Sequence, residues 1–375
     1  MKILHTIPGL SVNSGGPTTC TYNLVNGLRQ MNVDVDVLTF FSKNPGNKII
    51  AEDAFIKALP DDTSTSFLFS HNFKEYLINH NEYDLYHANA LWTYPSHITL
   101  RMAVKKHKAC LIAPHGMLFP QALQVSKWKK KIASILFQRK DLEMATCLQA
   151  TSSKELEHFR TFGLKNPVAI IPNSIRNVSG REKFNQKETS VTLGFMGRFH
   201  PIKNIEALIE AFKKINPKDC NLVLIGSGDI DYENSLKKIA GDDSRIRFTG
   251  FLQGDDMKKI LGSLSYLVLP SHSENFGMVV PEALSLGIPV IASKGTPWEE
   301  LDTYHCGWWV SNDMNTLAQT IEVAINTPET ERVKMGENGR KLVIENYSTE
   351  VVAKKMKQLY EWILYGGEKP DFVYL

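Results

Sequence analysis

Short apolar runs alternate with longer amphipathic stretches twice along this chain, and no other feature restricts its fold as much. In the first half, runs at 2–7, 33–40, 83–89, 109–114, 147–151 and 167–172 read as strands, with helices near 17–31, 95–108, 126–145 and 152–162. In the second half, strands at 191–197, 221–226, 245–249, 266–270, 288–293 and 307–310 alternate with helices near 203–215, 254–263, 278–286 and 312–326. Strands that are apolar on both faces and separated by helices imply parallel sheets covered on both sides. At 375 residues the chain exceeds one core and suits two such domains. The polar, aperiodic stretch 176–188 reads as the linker between them. The expected domains are 1–180 and 190–349, with a last helix, in about 350–375, free to cross back to the first domain.

Chemistry-bearing residues gather where strands give way to helices. Leu269-Pro270-Ser271-His272-Ser273-Glu274-Asn275-Phe276-Gly277 leads through Met278 to Pro281-Glu282-Ala283 and Gly287-Ile288-Pro289-Val290. Glu274 then lies in a loop and Glu282 within the following helix, so both can face the carboxyl end of a sheet, where open α/β folds bind ligands. Alone, two glutamates eight positions apart are an ordinary loop and helix with solvated carboxylates. Earlier, Gly194-Phe195-Met196-Gly197-Arg198-Phe199-His200-Pro201-Ile202-Lys203-Asn204 carries an Arg and a Lys out of a strand. Near the start, strand 2–7 is followed by Gly15-Gly16-Pro17 and a helix, whose amino terminus attracts phosphate.

Together these segments resemble the retaining GT-B glycosyltransferases, family 4 in particular. The resemblance implies two facing Rossmann-like domains with a cleft between them, the first taking the acceptor and the second a nucleotide sugar. It implies that Arg198 and Lys203 stabilise the leaving diphosphate, that Glu274 meets the donor sugar beside Asn275, Phe276, Gly277 and Met278, and that Glu282 accepts both ribose hydroxyls. His115, in Ala113-Pro114-His115-Gly116-Met117, matches the family's active-site histidine. Asn173 matches another cleft position, with Ser174 where the family often has Gly. Leu252 falls where the base meets backbone, and Gly15 and Gly16 where the first loop approaches the donor. Retention is expected by front-face attack, in which the leaving phosphate assists deprotonation of the acceptor and no covalent intermediate forms. A GT-B-fold epimerase and a non-catalytic sugar-nucleotide binder are the alternatives.

No cofactor or metal is expected beyond the nucleoside-diphosphate sugar itself. Of two Asp-x-Asp triplets, Asp34-Val35-Asp36 lies in an alternating strand with one polar face, and Asp229-Ile230-Asp231 reads as a helix cap. Cys20, Cys110, Cys147, Cys220 and Cys306 are scattered singly, without metal spacing, which suits a reducing cytoplasm. The hydrophobic fraction of 43% fits a globular protein, no secretory signal precedes the first strand, and no apolar run approaches the roughly 20 residues of a membrane span.

The net charge of +3 conceals an asymmetry. Residues 1–185 carry 22 Lys and Arg against 14 Asp and Glu, and the remainder carry 21 against 26. The basic excess peaks in Lys127-Trp128-Lys129-Lys130-Lys131, where a helix would align Trp128, Ile132, Ile135 and Leu136 in one apolar stripe flanked by lysines. That pattern fits peripheral contact with an anionic membrane, on its cytoplasmic face. It fits equally a core-facing helix with a solvated lysine edge. A glycan or lipid-linked acceptor, as in polysaccharide or lipopolysaccharide O-antigen assembly, would account for such a surface. No nucleic-acid-reading module is visible.

Overall fold

A computed structural model of the chain describes residues 1–11, 16–41, 49–63, 65–175, 190–216 and 219–375. It divides into two compact units, Met1–Arg176 with Thr349–Leu375, and Asn177–Ser348. The first contains β1 (Lys2–Gly9), β2 (Asp34–Phe41), β3 (Ile56–Pro60), β4 (Leu85–Asn89), β5 (Ala109–Ala113), β6 (Cys147–Ala150) and β7 (Val168–Ile170). The second contains β8 (Val191–Met196), β9 (Cys220–Ile225), β10 (Ile246–Gly250), β11 (Tyr266–Leu269), β12 (Val290–Ser293) and β13 (Gly307–Val310); β14 (Val373–Tyr374) returns to the first.

The first sheet has the order β14-β7-β6-β5-β4-β1-β2-β3, parallel except for β14, which pairs antiparallel with β7. One face packs Leu4, Leu38, Phe73, Tyr86 and Ile112, and the other Ile3, Val25, Leu28, Leu85 and Met356, so helices cover both. The helix Thr349–Tyr365 lies against the helix Gly16–Gln30, and Gly27 permits the approach: a Cβ there would come within 2.7 Å of Thr349 Cγ2 and 2.8 Å of Ala353 Cβ.

The second sheet has the order β10-β9-β8-β11-β12-β13, with every pair parallel. In both sheets the chain builds outward from a central strand and then resumes on that strand's other side, between β1 and β4 and between β8 and β11. Each such reversal opens a crevice beyond the strands' carboxyl ends.

Several elements depart from the sequence expectations. The strand β3, the helices His71–Asn79 and Glu329–Asn346, and β14 are additional, and the cap read at Asp229 opens a helix, Ile230–Ala240. Glu329–Asn346 escapes a periodicity search because two of its buried positions are Gly336 and Gly339, which bring its backbone onto Gly287 and Leu284. β2 does not carry a polar face: it is internal to the sheet, and Asp36 is buried, accepting from Tyr83 Oη at 2.8 Å with Lys57 Nζ at 3.8 Å. The helix expected over 126–145 runs from Lys127 to Met144, with a π-helical turn, Ser134–Gln138, between Lys127–Ala133 and Arg139–Met144. Trp128, Ile132, Ile135 and Leu136 are 57% to 77% exposed, which removes the core-facing reading of this stripe.

Candidate active site

In the second unit, two loops meet beyond β8 and β11. After β8 the chain passes through Arg198 into a short 3-10 turn, Pro201–Lys203, which His200 caps by accepting from Ile202 N–H. Asn204 follows with φ 55 and its amide donates to Pro270 O at 3.3 Å and Asn312 O at 2.8 Å, while His272 N–H donates to Ile202 O at 2.8 Å. These bonds hold the turn against the loop that follows β11. Lys203 Nζ consequently donates to Glu274 Oε1, which also accepts from Ser271 Oγ at 2.8 Å. The pair is largely shielded, with side chains 20% and 12% exposed.

Sequence reasoning assigned Lys203 to the leaving diphosphate and Glu274 to the donor sugar; in the structure the two side chains are also bonded to each other. Lys203 has three N–H donors and Glu274 two acceptor oxygens, so the pair leaves capacity on both. Arg198 is exposed. His200 is held below the usual histidine range by burial, with Arg198 and Lys203 adding positive charge beside it. The locality therefore favours an anion.

Behind Glu274 the loop is anchored by Glu274 N–H to Gly295 O at 3.1 Å and by packing of Phe276 on Trp298 and Tyr347, with centroids 5.2 and 5.7 Å apart. Gly277 takes φ 77, and the helix Val279–Ser285 begins two residues later. Glu282 lies in its first turn, half-buried, and desolvation pushes its carboxyl up to about 7.

A cavity of about 650 Å³ adjoins Arg198, lined also by Gly226, Gly228, Tyr232, Phe251 and Leu252. Its floor needs the glycines: a Cβ on Gly226 would come within 1.9 Å of Gly197 O, and one on Gly228 within 2.0 Å of Phe199 O. Asp229 caps the helix Ile230–Ala240 through the N–H groups of Asp231 and Tyr232. Among the described residues no group of three or more His, Cys, Asp or Glu is arranged to hold a metal, and no helix is long and apolar enough to cross a membrane.

In the first unit, His115 follows β5 with φ 51, a strained conformation for a side-chain-bearing residue. The turn is fixed from beneath by buried Glu155, which accepts from Gly116 N–H at 2.6 Å and from Thr151 N–H and Oγ1 at 2.8 and 2.9 Å. His115 Nε2 lies 3.1 Å from Asn89 Oδ1, and burial lowers the imidazole to about 4. Gly16 opens its helix in an exposed position, and Asn173 is buried in the loop after β7. Gly15 lies outside the described residues. Of the basic run, Lys127, Lys129 and Lys131 are exposed, but Lys130 turns inward, donating to Ala122 O at 2.6 Å beside the Trp92 ring.

Sequence reading missed Ser271, His200, Asn204 and Asn89. The His-Pro-x-Lys-Asn spacing signalled His200 and Asn204, since a cap and a left-handed Asn bracket a tight turn. Asn89 had no local signal, because its partner lies 26 positions away on another loop, whereas the partner of Ser271 is three residues ahead in the same loop.

Residues 179–342 match the family model for glycosyl transferases group 1, and residues 14–176 that for glycosyltransferase family 4. The chain is 29% identical over 219 residues to the capsular polysaccharide biosynthesis glycosyltransferase CapM of Staphylococcus aureus, covering 55% of this chain and 56% of CapM. Two glycosyltransferases of Methanocaldococcus jannaschii, 31% and 30% identical, are likewise matched over only 60% and 58% of their length. The O-antigen chain mannosyltransferase C of Escherichia coli is 22% identical over 380 residues, covering 97% of this chain and 99% of that protein. Among solved structures, Anabaena Alr3699/HepE in complex with UDP and glucose superposes with a TM-score of 0.75 at 19% identity, over 96% of this chain and 99% of that one.

Proposed function

Because the chain belongs to the family 4 glycosyltransferases, with two parallel-sheet α/β domains of GT-B type, we propose that it transfers a sugar from a nucleoside diphosphate to a glycan or lipid-linked saccharide. The observation that carries this reading is the meeting of Lys203 and Glu274 at the β8/β11 reversal, beside Arg198 and the glycine-floored cavity. Breaking the anomeric C–O bond leaves positive charge on the sugar and added negative charge on the diphosphate. Arg198 and the spare donors of Lys203 are suited to that negative charge, and charge-assisted hydrogen bonds contribute roughly 1.5–3 kcal/mol each. The second oxygen of Glu274 is suited to a sugar hydroxyl, and Glu282 to a ribose diol. Leu252 and Phe251 offer the cavity an apolar wall for a base. Asn275, Phe276, Gly277 and Met278 present the backbone of the donor loop, and Gly15, Gly16 and Asn173 complete the residues we assign to donor binding.

In this reading His115 positions a substrate hydroxyl, the anomeric configuration is retained, and the cations do the work a metal does elsewhere. Retention by front-face departure assigns no covalent nucleophile, so Glu274→Gln slows turnover without trapping a glycosyl-enzyme. CapM and the O-antigen mannosyltransferase support an acceptor in surface-polysaccharide assembly. Exposed Trp128, Ile132, Ile135 and Leu136 with Lys127, Lys129 and Lys131 support peripheral contact with an anionic membrane on its cytoplasmic side.

The test is a panel of nucleotide sugars against the full chain. A matching donor raises the melting midpoint by mass action and releases nucleoside diphosphate slowly without acceptor. No stabilisation by any donor would overturn the proposal, and stabilisation without release even with acceptor extracts would leave a binder.

A further inference from the structure

Beneath His115 lies a line of buried polar side chains that the transfer reaction does not use. Asn89, the last residue of β4, is 3% exposed and sits at the reversal between β1 and β4. Its Nδ2 has Thr6 O at 3.3 Å, His87 O at 3.4 Å and His5 Nδ1 at 3.4 Å. Carbonyl oxygens only accept, so the amide orientation is determined: NH₂ inward, Oδ1 toward His115. Oδ1 can only accept as well, and Thr21 Oγ1 approaches it at 3.5 Å. The ring nitrogen of His115 at 3.1 Å must then carry the proton.

The same logic runs deeper. His5 accepts at Nδ1, so its proton is on Nε2, which donates to Tyr360 Oη at 2.8 Å. Tyr360 then spends its own O–H on His87 Nδ1 at 2.8 Å, leaving the proton of His87 on Nε2. His5, His87 and Tyr360 are fully buried, and the two imidazoles are 4.4 Å apart by centroid. Two imidazolium ions cannot coexist there, and burial lowers His5 to about 3 and His87 well below its usual value. His115 thus meets Asn89 directly, couples to His5 and His87, both neutral, and has Glu155 beneath its turn at Gly116.

We propose that Asn89 is a positioning residue that holds His115 as the neutral Nε2–H tautomer, with the lone pair of Nδ1 presented to a substrate hydroxyl, and that His5, Tyr360 and His87 fix Asn89 in turn through a one-directional hydrogen-bond chain. His115 then acts as an acceptor and not as a cation. This rests on the reading that His115 meets substrate, but the tautomer itself does not.

Nitrogen-15 NMR of histidine-labelled full-length protein tests it, with His115 assigned by comparison with His115→Gln. We expect, at pH 7, a neutral His115 with an exchange-protected proton on Nε2. Asn89→Leu removes that protection, and Asn89→Asp raises the titration midpoint of His115 by at least one pH unit, with kcat falling about tenfold for Asn89→Leu. A proton on Nδ1 of His115 in the unaltered protein overturns the proposal. So do a midpoint and a protection that neither substitution moves. If the NMR result holds while His115→Gln retains full activity, the tautomer stands and the functional reading of His115 fails.

Discussion

The ammonium of Lys203 and the carboxylate of Glu274 join the two loops that leave neighbouring strands β8 and β11, tying together positions 71 residues apart at the point where strand order reverses. A pair this shielded is asymmetric in its consequences, since removing one partner leaves the other poorly solvated.

Lys203→Ala is expected to lower the stability of the second unit by about 1–3 kcal/mol and turnover by ten- to a hundredfold. The exchange Lys203→Glu with Glu274→Lys recovers much of the melting midpoint and none of the turnover, because the charges return reversed. Denaturant melts and donor-release rates on the three proteins check both statements.

Glu282 supplies a pH dependence. Its carboxyl rises from 4.5 to about 7 on folding, so the native state holds a proton that the unfolded chain has released. Stability from this group is greatest below pH 4.5, falls as pH rises toward 7, and levels above it, a change of about 3 kcal/mol at most. Glu282→Gln should flatten that stretch of the melting-midpoint profile. If Glu282 accepts the ribose diol as we propose, donor affinity runs the opposite way in the unaltered protein, tightening through pH 7 as the carboxylate ionises. Calorimetric titrations at pH 6 and 8 read the difference.

Burial lowers His115 to about 4, so its charge does not change between pH 5.5 and 8. Any inflection of kcat in that range should survive His115→Gln, although kcat itself falls by about tenfold. The pH–rate profile of the variant is the check.

The exposed stripe predicts flotation with anionic and not with neutral vesicles, weakening as salt rises. Trp128→Ser with Ile135→Ser should abolish flotation while leaving the melting midpoint within about 1 °C, since both side chains are already in solvent, 72% and 77% exposed.

How much of this was legible in the sequence depends on which contacts were local. The strands β8, β9, β11, β12 and β13 were readable because each is a short, mostly apolar run stopped by Gly, Pro or Ser, and β10 because Ile246 and Phe248 alternate with polar residues before Gly250. The cap at Asp229 was readable because its partners are two and three residues ahead. β3 was not, since its strand character comes from pairing with β2 at a sheet edge and it ends in Pro60. The chain also announced Arg198, Lys203 and Glu274 as polar residues in the loops after strands, and Glu282 in the helix that follows. It could not announce that Lys203 and Glu274 bond to each other, because strand order, which sets β8 beside β11, is not written in any one segment. The fate of Trp128 and Ile135 was undecided for a related reason: an apolar stripe looks the same whether or not something covers it.

The helix Thr349–Tyr365 belongs to the first unit but is encoded after the whole of the second. While the ribosome is still making residues before 349, Leu24, Val25 and Leu28 lack Val352, Met356 and Leu359, and the buried hydroxyl that joins His5 to His87 does not yet exist. The amino-terminal half must therefore wait, incomplete and sticky, until its sister has emerged, because the helix that seals it follows the whole of the second unit along the chain.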